Sequence, residues 1–353
     1  MKFYDALQLD PAILKRKIAA CDTKQEKARY WIAMAVRSAL IVAFAIVFIS
    51  LLSGVFGTDN TPLAVALFCM MLGIRFVNFT YCIGDSLVTL AAVLAILVLA
   101  PGAAVLLPPV LLIPLHFAAF FALLYMTSQQ PEMGNGGLYS FAYIYLTGNP
   151  VLGEALVRRG LLALVGYLIC GAILVAKHRD QHKTTRFVHV VRRFDLSTPV
   201  HLWQLRMALG VSLVLTAGQV FGVERFMWMV LPARRCCRSI PIPAIRPSVF
   251  GSGSWGRWRA PWHFWRCIWS CPPACVPCWG RWTGCAWDSA PTRYKTAMNC
   301  FGALSLGAGL YGLTGAVLLR ITDTLLGVLF GLVFAAVFHR LAAVRLLACA
   351  REE

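Results

Sequence analysis

The 353-residue sequence predicts an all-α fold, a polytopic bundle of transmembrane helices. Its composition is 59% apolar and 14% charged, against about 25% charged residues in soluble domains. A helix needs roughly 20 apolar residues to cross about 30 Å of hydrocarbon, and residues 86–128 contain no Asp, Glu, Lys or Arg over 43 positions. The alternating segments of about ten residues that mark a membrane β-barrel are not seen, so the predicted spans are helical.

Residues 1–32 are predicted to form a cytoplasmic N-terminal segment. Basic residues are interspersed with acidic ones there, and no small-residue cleavage site follows the first apolar run, which argues against a secretory signal. Tyr4, Leu7 and Ile13 are apolar residues suited to lie on the membrane surface.

Residues 33–176 are predicted to form a first transmembrane repeat of six helices. Proline and glycine at Pro101-Gly102 offer a turn between the third and fourth helices. The six predicted crossings are residues 33–56, 61–78, 84–100, 103–126, 138–153 and 158–176.

The formal net charge of +18 predicts the orientation of the chain. Basic residues concentrate in the N-terminal segment, in a linker at 177–205 and around the tail at 341–353. By the positive-inside rule these segments are cytoplasmic, which places a multi-pass protein in a bacterial inner membrane. The basic loops account for the charge, so the predicted partner is the lipid bilayer, and nucleic acid is not expected.

An internal repeat predicts a second transmembrane unit at 206–340, parallel to the first. Its helices should number six, but the sequence is two to three helices short. The repeated landmarks are Trp31 and Trp203, the segments Arg37-Ser-Ala-Leu40 and Arg206-Met-Ala-Leu209, and the apolar runs that begin at Arg158-Arg159 and Arg320.

The missing helices coincide with an anomalous window at 233–292. It holds eight of the eleven Trp, seven of the thirteen Cys and eight Arg, but no Lys. GC-rich coding DNA read in the wrong frame often yields this composition, so we interpret the window as out of frame, through a genuine lesion or a sequencing error. Sequencing the gene across codons 231–293 tests this hypothesis, because a one-base correction should restore apolar helices.

The motifs inside the window are interpreted as accidents. Gly251–Gly256 matches G-x-G-x-x-G but follows no predicted strand, and Cys271, Cys275 and Cys278 have zinc-like spacing. No metal or cofactor is therefore predicted. The chain contains neither H-E-x-x-H nor G-x-S-x-G, so an enzyme is not predicted and no catalytic residue is proposed.

Two segments carry a resemblance to a known family: Arg293-Tyr-Lys-Thr-Ala-Met-Asn-Cys-Phe and Arg320-x-x-Asp323-Thr-Leu-Leu-Gly327. With the Arg-led helix pairs, they resemble the fusaric acid resistance (FUSC) family, which includes aromatic acid exporters. The resemblance covers most of 30–231 and 293–340. It implies an inner-membrane component that exports aromatic or other weak organic acids, with a periplasmic adaptor protein or a second copy of itself as partner. The short linker resembles compact members.

Ionisable and polar residues within apolar runs are the candidates for substrate binding or coupling, because a charge at membrane depth costs about 2.5–3.5 kcal/mol. Asp85 and Asp323 would exchange a proton with the driving gradient, or else cap helix N-termini. Arg75 would bind an anionic carboxylate, or else reach the interface or pair with Asp85. His116 would relay protons or pack as a hydrogen-bonded core residue. Tyr143 would stack on an aromatic substrate or belong to an interfacial belt.

The predicted function is export of small organic acids driven by the proton gradient. Two alternatives stay open: a non-transporting scaffold or adaptor partner, and a non-functional frameshifted product.

Overall fold

The computed structural model describes residues 17–18, 20–21, 23–192, 194–195, 198–237, 312, 314–338 and 340. All regular secondary structure in these residues is helical, which confirms the predicted all-α class. The helices are α1 (Lys24–Phe56), α2 (Thr61–Ile74), α3 (Ile83–Leu106), α4 (Pro109–Thr127), α5 (Asn135–Thr147), α6 (Gly153–His178), α7 (Phe187–Arg192), α8 (Pro199–Val220), α9 (Met227–Cys237) and α10 (Thr314–Phe338). Short 3-10 turns occupy Thr58–Asn60 and Pro131–Met133.

Six of these helices, α1, α3, α4, α6, α8 and α10, are long and apolar enough to cross a membrane. The chain is thus a multi-pass helical membrane protein. Two of the six predicted crossings before the linker are short: α2 has 14 residues and α5 has 13. At 1.5 Å per residue each reaches only about 20 Å, which is less than the roughly 30 Å of hydrocarbon that a span must cross.

The predicted turn at Pro101-Gly102 is wrong. Both residues are buried inside α3, and the chain leaves the helix at Leu107, where ψ is 146°, and continues through Pro108, where ψ is 153°. Each of these two residues precedes a proline, which disfavours the helical conformation. Pro101 removes a single helical donor, a loss that membrane helices tolerate.

The chain divides into two compact units. The first contains the residues up to Val47 together with 245–322, and the second contains 48–244 and 323–353. In the first unit, the described part of α1 exposes Leu40, Phe44 and Val47, as expected for a helix that faces lipid.

In the second unit, α5 lies against α2, α3 and α4, while α6 packs on α2 and α3, and α8 packs on α4. The contact between α2 and α6 is close: a Cβ on Gly166 would overlap the side chain of Leu67. Small residues allow helices to approach closely in membranes, where packing replaces the hydrophobic driving force. The two short helices are thus held in the interior by longer ones.

The outer faces of the long helices are apolar. Val88, Leu99, Val110 and Leu168 are at least 60% exposed although they lie in helices long and apolar enough to cross a membrane. In a soluble protein such a large exposed apolar patch would promote association or aggregation. In a bilayer it is the surface that the acyl chains cover.

Gly327, the last position of the Arg-x-x-Asp-Thr-x-x-Gly segment, has a packing reason to be glycine. It lies where α10 meets α9, and a Cβ there would collide with the Met229 carbonyl oxygen. Backbone cannot move aside as a flexible side chain does, so any larger residue would separate the two helices.

Helix α9 ends at Cys237, five residues into the anomalous window. Residues 238–292 lie outside the described part of the chain, as do the motifs at Gly251–Gly256 and at Cys271, Cys275 and Cys278. The segment Arg293–Phe301 and the predicted tail at 341–353 also lie outside it. The repeat and the reading-frame hypothesis stay predictions.

Candidate functional site

Helix α5 carries a stripe of polar side chains along one face. Asn135, Tyr139, Tyr143 and Thr147 recur every four residues, a spacing that aligns side chains on a helix. All four are buried. Polar groups buried in a membrane protein are expensive, so a continuous stripe on an interior helix marks the candidate site.

The centre of this stripe is a hydrogen-bonded chain joining α4, α5 and α8. His116 of α4 is fully buried; its Nδ1 lies 2.8 Å from the Tyr143 hydroxyl, and its Nε2 lies 2.9 Å from Oε1 of Gln219 on α8. Since Gln219 Oε1 accepts only, Nε2 carries the ring proton, and Nδ1 accepts from the Tyr143 hydroxyl. The imidazole is neutral in this arrangement, with both nitrogens engaged.

Apolar packing holds the imidazole in place. The rings of His116 and Tyr143 meet edge to face with centroids 6.0 Å apart, and Phe120 meets Tyr143 at 5.7 Å. Such edge-on pairs favour one relative orientation. The geometry can support proton transfer, because a neutral histidine with a donor on one side and an acceptor on the other can gain or pass a proton with small rotations.

One turn along α5, the Tyr139 hydroxyl is buried and makes no hydrogen bond within the described residues. A buried unpaired hydroxyl costs on the order of 1–3 kcal/mol. It lies on the same face as Tyr143, on the side toward Asn135. The polar stripe is therefore continuous, but its hydrogen bonds do not link Tyr143 to Asn135 through Tyr139.

An open, shallow cavity of about 550 Å³ adjoins Gln219, on the Nε2 side of His116. Its walls come from the last turns of α3 and α8, the first turn of α4, the end of α5 and the connecting segments that follow α5 and α8. The lining residues are Ala104, Val105, Pro109, Leu112, Thr147, Pro150, Gly218, Gln219, Val220, Gly222, Val223 and Phe226. Gln219 thus contacts both the cavity and the buried imidazole. We term this end of the second unit the cavity end.

The cavity end also holds a buried arginine. Arg159 of α6 has no exposed surface; its Nε donates to Asn60 Oδ1 and its Nη2 donates to the Asp59 carbonyl, both at 3.0 Å. Asn60 donates in turn to the carbonyls of Phe56 and Ala155 at 2.9 and 3.2 Å. Every partner is a backbone atom or a side chain bonded to one, so this cluster fastens the α1–α2 connection to α6.

At the opposite end, which we term the linker end, polar side chains close the ends of the short helices. His178 Nε2 donates to the Ile74 carbonyl at 2.7 Å, and Asn135 donates to the Asn78 carbonyl at 2.9 Å. Asn78 donates to Gln181 at 2.6 Å. The bonds to Ile74 and Asn78 satisfy backbone carbonyls at and after the end of α2, as buried backbone at membrane depth requires.

The linker is bound to this end by further contacts. The Cys82 N–H donates to the Thr185 carbonyl at 2.8 Å, and the Tyr125 hydroxyl donates to the Val190 carbonyl at 2.9 Å. Tyr81 packs edge-on against Phe187 at 5.3 Å, and burial raises the pKa of the Tyr81 hydroxyl. Thr185, Phe187 and Val190 of the linker therefore contact the helix ends.

Two of the five predicted site residues, His116 and Tyr143, are brought together. Asp85 lies in the first turn of α3, and its Oδ2 accepts from the Phe187 N–H at 2.7 Å. Arg75 is exposed at the end of α2, with its guanidinium 5.6 Å from the Phe76 ring centroid. Asp323 is buried in α10. No ion pair joins Arg75 to Asp85 within the described residues.

Three polar residues of these clusters were missed from sequence: Gln219, Arg159 and Asn60. Gln219 interrupts the apolar run of α8, a signal that was available. Arg159 follows Arg158, and no sequence pattern distinguishes the buried arginine from its exposed neighbour. Asn60 lies in a short polar connection, where burial has no sequence signal. No group of three or more metal-binding side chains is found in the described ranges.

Comparison with protein-family models, with curated proteins and with solved structures finds no match to this chain. The resemblance to the fusaric acid resistance family therefore stays a prediction that rests on the quoted segments.

Proposed function

We propose that this chain is the membrane component of an exporter of small organic acids, that it resides in a bacterial inner membrane, and that proton movement through His116 drives it. The observation that carries the proposal is the chain Tyr143–His116–Gln219, buried among apolar helices and ending at a cavity. The resemblance to aromatic acid exporters supports the substrate class, and the basic segments support a cytoplasmic N-terminus.

The histidine suits this role because its charge changes near neutral pH. Protonated at Nδ1, it would donate on both sides: Gln219 already accepts, and Tyr143 would turn its hydroxyl to accept. Both the neutral and the charged imidazole can therefore be satisfied by the same two partners. A histidine with only a structural role needs partners for only one of these two protonation states.

The short helices support the proposal on a second ground. Transporter sites tend to form where helices are interrupted and irregular backbone lines the space that a substrate enters. Helix α5 ends within the second unit at the cavity, and Thr147 at its last turn contributes to the cavity wall.

The proposal is tested by transport in everted membrane vesicles that contain the full chain. A proton gradient should drive accumulation of radiolabelled benzoate, and an uncoupler should abolish it. His116→Gln should remove the accumulation while the protein remains in the membrane. His189→Gln is the matched control, because His189 is exposed on α7.

Accumulation that persists in His116→Gln would contradict the assigned role of His116. Wild-type vesicles without gradient-dependent accumulation would contradict the exporter proposal and favour the scaffold or the frameshifted product. If sequencing shows that a one-base correction restores the missing two to three helices, the assay is done on the protein encoded by the corrected gene.

A further inference from the structure

We infer that the cavity beside Gln219 is a binding site for a small apolar molecule that carries a carboxylate, and that the Gln219 amide nitrogen is the donor that recognises it. The substrate class rests on the proposed function; the location and the recognising residue do not. The inference rests on the hydrogen-bonding roles left open by His116, on the lining of the cavity and on its size.

The N–H groups of the Gln219 side chain make no hydrogen bond within the described residues, and the residue is half-buried at the cavity wall. Its Oε1 already accepts from His116 Nε2 at 2.9 Å, which uses one of the two lone pairs of that oxygen. A ligand group that meets the N–H groups must supply acceptors, and an ionised carboxylate consists of acceptors alone.

The rest of the wall selects an apolar body. Leu112, Val105, Val223 and Phe226 supply aliphatic and aromatic surface, and Thr147 donates its hydroxyl proton to the Tyr143 carbonyl at 2.8 Å. Among the residues that the structure describes, no Asp or Glu lines the cavity. A bound anion is therefore not repelled by a carboxylate in the wall. A cation that only donates hydrogen bonds has no carboxylate in the wall to pair with.

The volume agrees with such a ligand. Small-molecule sites span about 300–1,000 Å³ and combine mostly apolar walls with a few placed polar groups. The cavity of about 550 Å³ lies within this range. Because its walls are helix ends and connecting segments, it lies at the level where a carboxylate reaches from water into the bundle.

Binding is measured by titration calorimetry on the purified full-length chain in lipid nanodiscs, with benzoate and benzylammonium as probes. The two probes match in size but differ in hydrogen-bonding role, since benzoate only accepts and benzylammonium only donates. We expect benzoate to bind at least about tenfold more tightly, a difference of 1.4 kcal/mol. Equal affinity, or preference for benzylammonium, would overturn the inference.

Two tryptophan variants locate the site. Val105 is half-exposed and lines the cavity, while its neighbour Leu106 is 72% exposed and does not line it. Val105→Trp should weaken benzoate binding about tenfold or more, and Leu106→Trp should change it less than about twofold. Similar effects of the two variants would show that benzoate binds elsewhere.

Gln219→Leu tests the donor. We expect loss of the preference for benzoate over benzylammonium in a protein that still elutes as a single species. If Gln219→Leu does not fold, the comparison of Val105→Trp with Leu106→Trp still shows whether benzoate binds in this cavity. Benzoate binding without transport would refute the exporter proposal alone, whereas transport that Val105→Trp leaves unchanged, with unchanged binding, would refute this site alone.

Discussion

The second unit contains two buried basic side chains near the same end, and their surroundings differ. Arg159 is bound by Asn60 and by a backbone carbonyl, and Asn60 is itself fixed to two further carbonyls. His116 is bound by two side chains that can rotate, and one of them lines a cavity. Burial alone does not show whether a polar side chain only stabilises the fold, as a clamp, or changes state during function, as a working group. The two cases differ in whether the hydrogen-bond partners are fixed or can rotate.

The difference follows from the chemistry of the two groups. A guanidinium is charged at all physiological pH values and offers only donors, so rigid carbonyl acceptors suit it permanently. An imidazole changes between one donor and two, so partners that can exchange donor and acceptor roles suit it. Arg159 therefore stabilises the structure, and His116 is equipped to change state.

Removal of the clamp should have the largest effect on stability. Arg159→Leu deletes two hydrogen bonds that a charged group donates and leaves Asn60 Oδ1 unpaired, for an expected loss of about 3 kcal/mol or more. The melting temperature of detergent-solubilised protein, measured by size-exclusion profiles after heating, reports the loss. Arg158→Leu is the control, because its ion pair with Glu154 is exposed and worth little. A stable Arg159→Leu that has lost export would instead make Arg159 a functional residue.

The proposed working group should show the opposite balance. Tyr143→Phe removes the hydroxyl that donates to His116, for an expected stability loss of about 1 kcal/mol, while gradient-driven benzoate accumulation should fall much further. Tyr145→Phe, two residues along the same helix, should leave both properties close to wild type. If stability and accumulation fall by similar amounts in Tyr143→Phe, His116 and Tyr143 have a structural role only, and the prediction is contradicted.

The linker contact of Asp85 should give the smallest effect. Asp85→Ala removes one hydrogen bond to the Phe187 N–H and an acidic group at the start of α3, for an expected loss of about 1 kcal/mol or less. Faster hydrogen exchange at Phe187 reports the loosened linker, and export should persist. Asp180→Ala is the control, because that carboxylate is exposed and its pKa is lowered by nearby Lys183. Loss of export in Asp85→Ala would revive the proton-exchange interpretation.

The apolar runs predicted the helices because the required length of a membrane span is fixed by the bilayer. The sequence could not predict that α2 and α5 are short. Their irregular ends are tolerated only because distant side chains satisfy the backbone, as Asn135 does for Asn78 and His178 for Ile74. Such pairings depend on the packed structure and leave no local pattern.

The candidate site was predicted in part. His116 and Tyr143 stood out as polar residues in apolar surroundings, but their pairing joins positions 27 residues apart and the bond to Gln219 spans 103. Asp85 was a candidate because it is a charged residue at the start of an apolar run. In the structure its carboxylate accepts a hydrogen bond from the Phe187 backbone N–H. A single sequence shows which residues are unusual and does not show which of them meet.

The cavity has an electrical consequence. If water fills it, solvent reaches within one side chain of the buried imidazole, and the membrane voltage then falls mainly across the remaining, dry part of the bundle. Moving one elementary charge through 100 mV is worth about 2.3 kcal/mol, and a proton that enters from the cavity would cross only a small share of that drop before it reaches His116. Occupancy of His116 from that side should thus follow the local pH closely and the voltage weakly.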